Sequence, residues 1–349
     1  MSTINKVFTN TQNSYKYYWW LSIVEICQEE NKNQIFFDEI ILKIISKLWY
    51  PVNYFKLSFG KIDKCSTYIK QIQDEYKVKD NINKQELFQL LYDKKETNFL
   101  RNITSELIRY VPYRFIRPWY AEETRGLKDA LVNSEIIRLQ NESAPYKIDI
   151  KLNKIIVDEK WFRWINSNYS IIKAFTYFEL LKYLEKENPN VRNLSSKLEK
   201  PNSRKLNPQT KYWKKYIIKN PLSQDVFQSI NFSEIESLSI DHFLPWSYFG
   251  HDLIWNLHPV DKDVNSSKNN FLPSKVYCLD FYKLQFNFSK FLCQENLIEP
   301  LESYFIFFNS SKEEFTKMPS EKFIKKMNEF YQSEFEKAKT MGFSENWNN

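Results

Sequence analysis

A chain of 349 residues with 42% hydrophobic and 17% aromatic side chains can bury a sizeable core and has room for two domains. Its 50 basic against 43 acidic residues give a net charge of +7, a mild excess compatible with a nucleic-acid partner but no proof of one. Of its four glycines, no two lie close enough for a phosphate-cradling loop, a dinucleotide fingerprint or a G-x-S-x-G elbow, which excludes an NTPase site and a nucleotide cofactor.

Cys27, Cys65, Cys278 and Cys293 form no C-x-x-C pair, so no structural zinc is expected, and free thiols suit a reducing cytoplasm. The opening MSTINKVFTN has no signal-peptide hydrophobic region. The most apolar early run, residues 17–26, is broken by Glu25 and too short to span a bilayer, so a soluble protein without a membrane partner is expected.

Residues 1–193 read as a mainly helical domain for target selection or partner docking. A polar leader gives way to the aromatic, helix-like YKYYWWLSIVEI. Phe37, Ile40, Ile41, Ile44, Ile45 and Leu48 recur at helical spacing, and Pro51 ends the pattern. Lys-rich amphipathic helices continue over 60–95, and 99–111 makes another with Leu100, Ile103 and Leu107 on one face. The segment RYVPYRFIRPWY, 109–120, interleaves Arg114 and Arg117 with Tyr113, Phe115, Trp119 and Tyr120. That mixture suits a nucleic-acid surface. The simpler reading is an extended, Pro-bounded segment whose arginines pair acids such as Glu122 and Glu123. YKIDIKLNKIIV, 146–157, alternates on both sides of Leu152-Asn153-Lys154 and predicts a hairpin. A helix over 171–184 follows, closed by Asn188-Pro189-Asn190, and the main boundary is placed there.

Residues 194–275 join a basic linker to the one stretch dense in chemical groups. Lys197, Lys200, Arg204, Lys205, Lys211, Lys214, Lys215 and Lys219 face a lone Glu199. A charge run is usually a solvated face. Directly ahead of the histidines, Arg204, Lys214 and Lys215 are also placed to approach phosphates.

All three histidines fall in SIDHFLPWSYFGHDLIWNLHPVDKDVNSSKNNFLPS, 239–274. Asp241 and His242 close a short alternation that reads as a strand end, and Pro245 stops ladder pairing. A loop over 246–252 has Gly250 as its free point. A second strand over 254–260 is interrupted at Pro259, and Asp263 caps a short helix over 264–270. Asn265, Lys268 and Asn269 share one face of that helix, although Lys268 taken alone reads as solvated. A hard divalent cation takes carboxylate and amide oxygens. An imidazole with a pKa of about 6.5 can take a proton from water. The set therefore suits phosphodiester hydrolysis with Asp241 and Asn265 on Mg²⁺ or Mn²⁺, and His242 as base. One geometric condition applies: neighbours on an ideal strand point to opposite sides, so Asp241 and His242 serve one site only if the strand is distorted. His251 either fixes the loop or touches a phosphate or second cation. His258 is read as structural, with a phosphate contact as the alternative. Trp246 and Trp255 are expected core residues.

These residues resemble the HNH, or ββα-metal, endonucleases, and are most similar to the HNH domain of the RNA-guided CRISPR nucleases. The likeness lies in the DH-x-x-P opening at Asp241-His242, the central Asn256 in WNL, the N-x-x-K of Asn265 and Lys268, and the following x-P-S. Asn265 stands where the family name has its second His. The resemblance covers about 35 residues, roughly a tenth of the chain. It implies that His242 is the general base, that Asp241 and Asn265 bind the metal, and that Asn256 pins the loop so that the imidazole is held in aim; Lys268, beside them, is read as a phosphate contact. The zinc knuckles of many members are missing. It further implies DNA cleavage to 5′-phosphate and 3′-hydroxyl ends in bacterial restriction or phage defence, with homing and toxin roles sharing the motif. An RNA-cleaving, toxin-like nuclease of the same fold and a catalytically silent nucleic-acid- or partner-binding module are the alternatives. Any ATP requirement falls to a partner ATPase or sensor subunit.

Residues 276–349 are read as a C-terminal helical extension. Residues 276–310 are aromatic without clear period, and a helix over 320–340 puts Phe323, Ile324, Met327, Phe330 and Tyr331 on one face behind Pro319. It is expected to pack on the N-terminal domain. The fold class is mainly α with a ββα-metal (HNH) module, α+β overall.

Overall fold

The computed structural model describes residues 4–9, 11–199 and 206–349. The chain divides into two units, Met1–Lys200 and Pro201–Asn349.

The first unit is organised around α1 (Tyr15–Glu29), which is buried all round from Tyr17 to Cys27 and so has no solvent face to give it amphipathic character. The one acid in that stretch, Glu25, meets Lys47 Nζ at 2.5 Å and Lys173 Nζ at 3.3 Å, which offsets its loss of water. Ile40, Ile41, Ile44, Ile45 and Leu48 of α2 (Phe37–Trp49) are all buried, as their spacing predicts. Pro51 does not break the chain away; it enters a single wide π turn, Tyr50–Tyr54, at the first turn, where a missing N–H is tolerated.

The hairpin forms from β2 (Tyr146–Asp149) and β3 (Lys154–Val157), with Asn153 in the left-handed region at φ 50° in its turn. A third strand, β1 (Gln34–Phe36), pairs antiparallel with the other edge of β3 and gives the order β1-β3-β2. Three residues are too few to show an alternation. The helix α3 (Tyr169–Glu187) ends at Asn188, whose amide donates to Leu184 O and Ser58 O, both at 2.8 Å.

Two expectations for this unit fail. Residues 109–120 are not extended: Val111–Ile116 is helical and Arg117–Tyr120 is a 3₁₀ turn. Pro112 and Pro118 each lie in a first turn, where proline is at home. Arg114 and Arg117 meet Asp129, at 2.5 and 3.7 Å, rather than Glu122 or Glu123. Lys197, read as part of a solvated basic face, is fully buried, and that burial, aided by Arg192, lowers its pKa to about 7. Arg204, from the same run, lies outside the described residues.

The second unit contains α4 (Asn207–Lys219), β4 (Leu238–His242), β5 (Leu257–Asp261), α5 (Lys262–Lys268), α6 (Cys278–Gln294), α7 (Ile298–Phe308) and α8 (Ser320–Thr340). Its core is largely aromatic. Trp213 of α4 stacks on Phe288 of α6 with centroids 3.6 Å apart, and Phe243 stacks on Phe281 at 4.0 Å. The aperiodic stretch after 276 becomes α6 and α7; Phe281, Tyr282, Leu284, Gln285 and Phe288 are all buried, so α6 presents too wide a face for a narrow stripe to show. The last helix falls where expected, and its Phe323, Met327 and Tyr331 bury in the core that holds β4 and β5. There Tyr331 meets the Phe281 ring and Phe323 the Phe286 ring. Among the described residues no helix is long and apolar enough to cross a membrane.

Candidate active site

The strands β4 and β5 pair antiparallel, with Asp241 opposite His258 and His242 opposite Leu257. Pro259 does not interrupt β5 but lies inside it, opposite Ile240. In a two-stranded ladder each strand keeps an open edge where a missing N–H costs nothing. The strand runs straight into α5. Asp261, its last residue, is the cap and accepts from Asp263 N at 2.8 Å; the expected cap, Asp263, sits in the first turn, so the helix covers 262–268 rather than 264–270. The connection between the strands is more ordered than a loop. It holds a short helix, Trp246–Phe249, ended by Gly250 at φ 75°, and then a 3₁₀ turn, Ile254–Asn256.

Ser239 and Asp241 are two apart on β4 and face the same side. The helix α5 lies over that side. Asn265 Nδ2 donates to Ser239 Oγ at 3.0 Å. Lys268 Nζ stands 2.9 Å from Asp241 Oδ2 and donates to the His242 carbonyl at 2.7 Å. Lys268 is 0% exposed, so its reading as a solvated side chain is wrong: the last turn of α5 lies flat on β4, and the ammonium is held between a carboxylate and a carbonyl. His258, opposite Asp241, shares this side, with Nε2 3.9 Å from Asp241 Oδ2. Burial lowers its pKa to about 4, against the pull of Asp241 and with the help of Lys268, so the ring is neutral at physiological pH. Asp241 Oδ2 is buried with the Lys268 ammonium as its close partner, and both ring nitrogens of His258 are buried without a partner in good hydrogen-bond geometry.

The His242 ring is held from the connection. Its Nε2 lies 2.8 Å from Oδ1 of Asp252. Asp252 was not among the expected site residues; its only signal is an acid two residues beyond Gly250. His251, beside it, is exposed and meets the Phe249 ring edge-on at 6.1 Å. Asn256 is 0% exposed. Its Oδ1 accepts from Leu244 N at 3.0 Å and from the Tyr331 hydroxyl at 3.0 Å, and its Nδ2 donates to Leu244 O at 3.0 Å. The carbonyl of Asn256 accepts from Phe243 N at 2.8 Å. These bonds tie the start of the connection, just after His242, to its end. Trp246 and Trp255 are both buried. Lys214 and Lys215 are exposed on α4, whose Trp213 and Tyr216 are buried.

Among the described residues no three His, Cys, Asp or Glu side chains are grouped as a metal cage. The donors that do converge are chemically apt for a divalent ion that keeps part of its water. Asp241 has a buried carboxylate oxygen, and Asn265 commits its amide nitrogen to Ser239, which turns its oxygen to acceptor duty. The Lys268 ammonium already places one positive charge at that carboxylate.

Residues 227–274 match the HNH endonuclease family. The HNH segment begins at Phe227, whose ring meets that of His258 at 4.9 Å, and takes in both strands and α5. The family implies a nuclease acting on nucleic acid, generally with a divalent metal. No curated protein and no solved structure matches the chain.

Proposed function

We propose that the protein is an endonuclease that hydrolyses DNA phosphodiesters with one divalent ion, Mg²⁺ or Mn²⁺, held by the Asp241 carboxylate and the Asn265 amide oxygen. The supporting observation is that α5 brings Asn265 and Lys268 down on the Ser239–Asp241 face of β4, inside the HNH segment. When bound, the ion stabilises charge on the phosphate and on the leaving oxygen. His242 is the general base; because the ladder is regular through Asp241 and His242, its ring reaches the Asp241 side only by a shift of the strand end on substrate binding. The Asp252 carboxylate at Nε2 orients the ring and favours the tautomer protonated there. Asn256 is a positioning residue: it fixes Phe243 and Leu244, and through them the adjacent imidazole. Lys214 and Lys215 supply an exposed cationic approach for the phosphate backbone.

Bacterial restriction or phage defence is the setting this reading favours, in the cytoplasm, where the four free cysteines are at home. A partner ATPase or sensor subunit then supplies any ATP-dependent step. The deciding experiment incubates the purified protein with Mg²⁺ or Mn²⁺ and labelled DNA, with RNA in parallel. DNA should be cut, and His242→Ala should slow cutting by at least about 100-fold while salt-dependent binding persists. Cutting of RNA alone selects the RNA-cleaving alternative, and binding without any cutting selects the silent module.

A further inference from the structure

We infer that His258 is a third protein ligand of the divalent ion, through Nε2, and that it turns the site toward Mn²⁺ and other nitrogen-accepting metals over Mg²⁺. This rests on Asp241 being a metal ligand. Three observations carry it. First, His258 is paired with Asp241 across the β4–β5 ladder, so both side chains leave the same side of the sheet, under α5. Second, the ring is 0% exposed, yet neither nitrogen reaches a partner in good hydrogen-bond geometry, the Pro259 backbone being its one polar neighbour of that kind among the described residues. An unsatisfied buried polar atom is destabilising, and a phenyl or isobutyl group would fill the space between Phe227, Phe243 and Phe281 without that cost. Third, Asp241 Oδ2, an oxygen whose close partner is the Lys268 ammonium at 2.9 Å, lies 3.9 Å from Nε2. That gap is too long for a hydrogen bond, but an ion with bonds of about 2.0–2.2 Å can reach both atoms at once.

The residues around the gap agree with this. Lys268 is the only other charged group in contact with Asp241 among the described residues, and its ammonium keeps a second partner in the His242 carbonyl. It can lean on that carbonyl when an ion takes up the carboxylate. Imidazole nitrogen is a good donor to Mn²⁺ and later transition ions, and a poor one to Mg²⁺, which prefers oxygen. A two-oxygen site would show no such bias.

The test is pulsed electron paramagnetic resonance of Mn²⁺ bound to the full-length protein without nucleic acid, with Mn²⁺ and Mg²⁺ affinities measured by calorimetry. The wild type should show ¹⁴N coupling of a directly bonded imidazole. The coupling should survive His242→Ala and vanish in His258→Gln. His258→Gln should weaken Mn²⁺ binding by at least about tenfold, since loss of groups that merely orient a ligand already costs that much. Thermal melts establish that the variants are folded, and the wild-type spectrum needs no variant. Mn²⁺ binding that Asp241→Asn abolishes, with no ¹⁴N coupling in the wild type, overturns the role of His258 and leaves the Asp241 reading standing. Coupling that follows His242 instead of His258 also overturns it. Equal Mn²⁺ binding in wild type and Asp241→Asn removes the Asp241 reading and this inference with it.

Discussion

Lys268 and Asp241 form a buried ion pair in which neither partner has water to fall back on. Removing one member of such a pair strands the other and costs about 3–5 kcal/mol. Lys268→Met keeps most of the aliphatic stem but leaves the Asp241 carboxylate and the His242 carbonyl without their cation. The variant should therefore be less stable by that amount in metal-free buffer. It should regain part of the loss on adding Mn²⁺, which binds only the folded state and replaces the missing charge. Denaturant melts of wild type and variant, with and without Mn²⁺, check this; a variant as stable as the wild type, with no metal-dependent gain, would show that the pair does not hold the face together. This residue also marks where reading a sequence runs out. Asp241 and Asn265 could be singled out by type and spacing, and Asn256 through the resemblance to the HNH motif. Lysine in the last turn of a helix is ordinary, since it complements the helix dipole from solvent. Whether it is buried depends on the angle at which α5 meets β4, which no local pattern records. Asp252 is hidden for the same reason: its partner lies across a connection whose course is fixed by Gly250 and by the Asn256 bonds.

At the scale of elements, periodicity identified those with a single buried face. The Phe323–Met327–Tyr331 row of α8 declares itself, because one side faces a core and the other faces water; the isoleucines of α2 keep their helical spacing although ten of its thirteen residues are buried. The helix α1 and the stretch that becomes α6 were blurred because they are buried over a wide arc. The boundary between β5 and α5 was misplaced by two residues, because Asp261 and Asp263 are both competent caps and only the end of the ladder chooses between them. The helix α4 offers a test of function at this scale. Its Trp213 and Tyr216 are locked in the core, so the exposed Lys214 and Lys215 can be reversed without disturbing the fold. The double variant Lys214→Glu, Lys215→Glu should bind DNA more weakly at low salt. If each lysine meets one phosphate, the slope of log affinity against log salt should fall by about 1.8, with no change in melting. An unchanged slope would remove α4 from the binding surface.

At the scale of the whole molecule, the HNH segment does not supply its own core. Residues 227–274 contribute Phe243, Trp255, Leu257 and Val260 to a cluster completed by α4 before the segment and by α6, α7 and α8 after it. Two strands and a seven-residue helix bury too little to be stable alone, so the flanking helices are part of the catalytic unit and not an appendage. Tyr331 of α8 joins the two roles. Its ring contacts Phe243, Phe281 and Tyr282, while its hydroxyl reaches Asn256 Oδ1 at 3.0 Å. Tyr331→Phe keeps the packing and deletes one of the bonds on Asn256, so stability should drop by only about 0.5–1.5 kcal/mol. Leu244 still holds both ends of the Asn256 amide, so the imidazole keeps its mean position. Cleavage should then slow modestly in kcat with KM unchanged, because aim is loosened and substrate contacts are not. Tyr331→Ala opens a cavity among the rings and should cost about 3–5 kcal/mol. Its activity should disappear with the loss of folded structure, as followed by circular dichroism at the assay temperature. If instead Tyr331→Ala stays folded and cuts DNA at the wild-type rate, α8 is dispensable and the segment's support lies in α4, α6 and α7 alone.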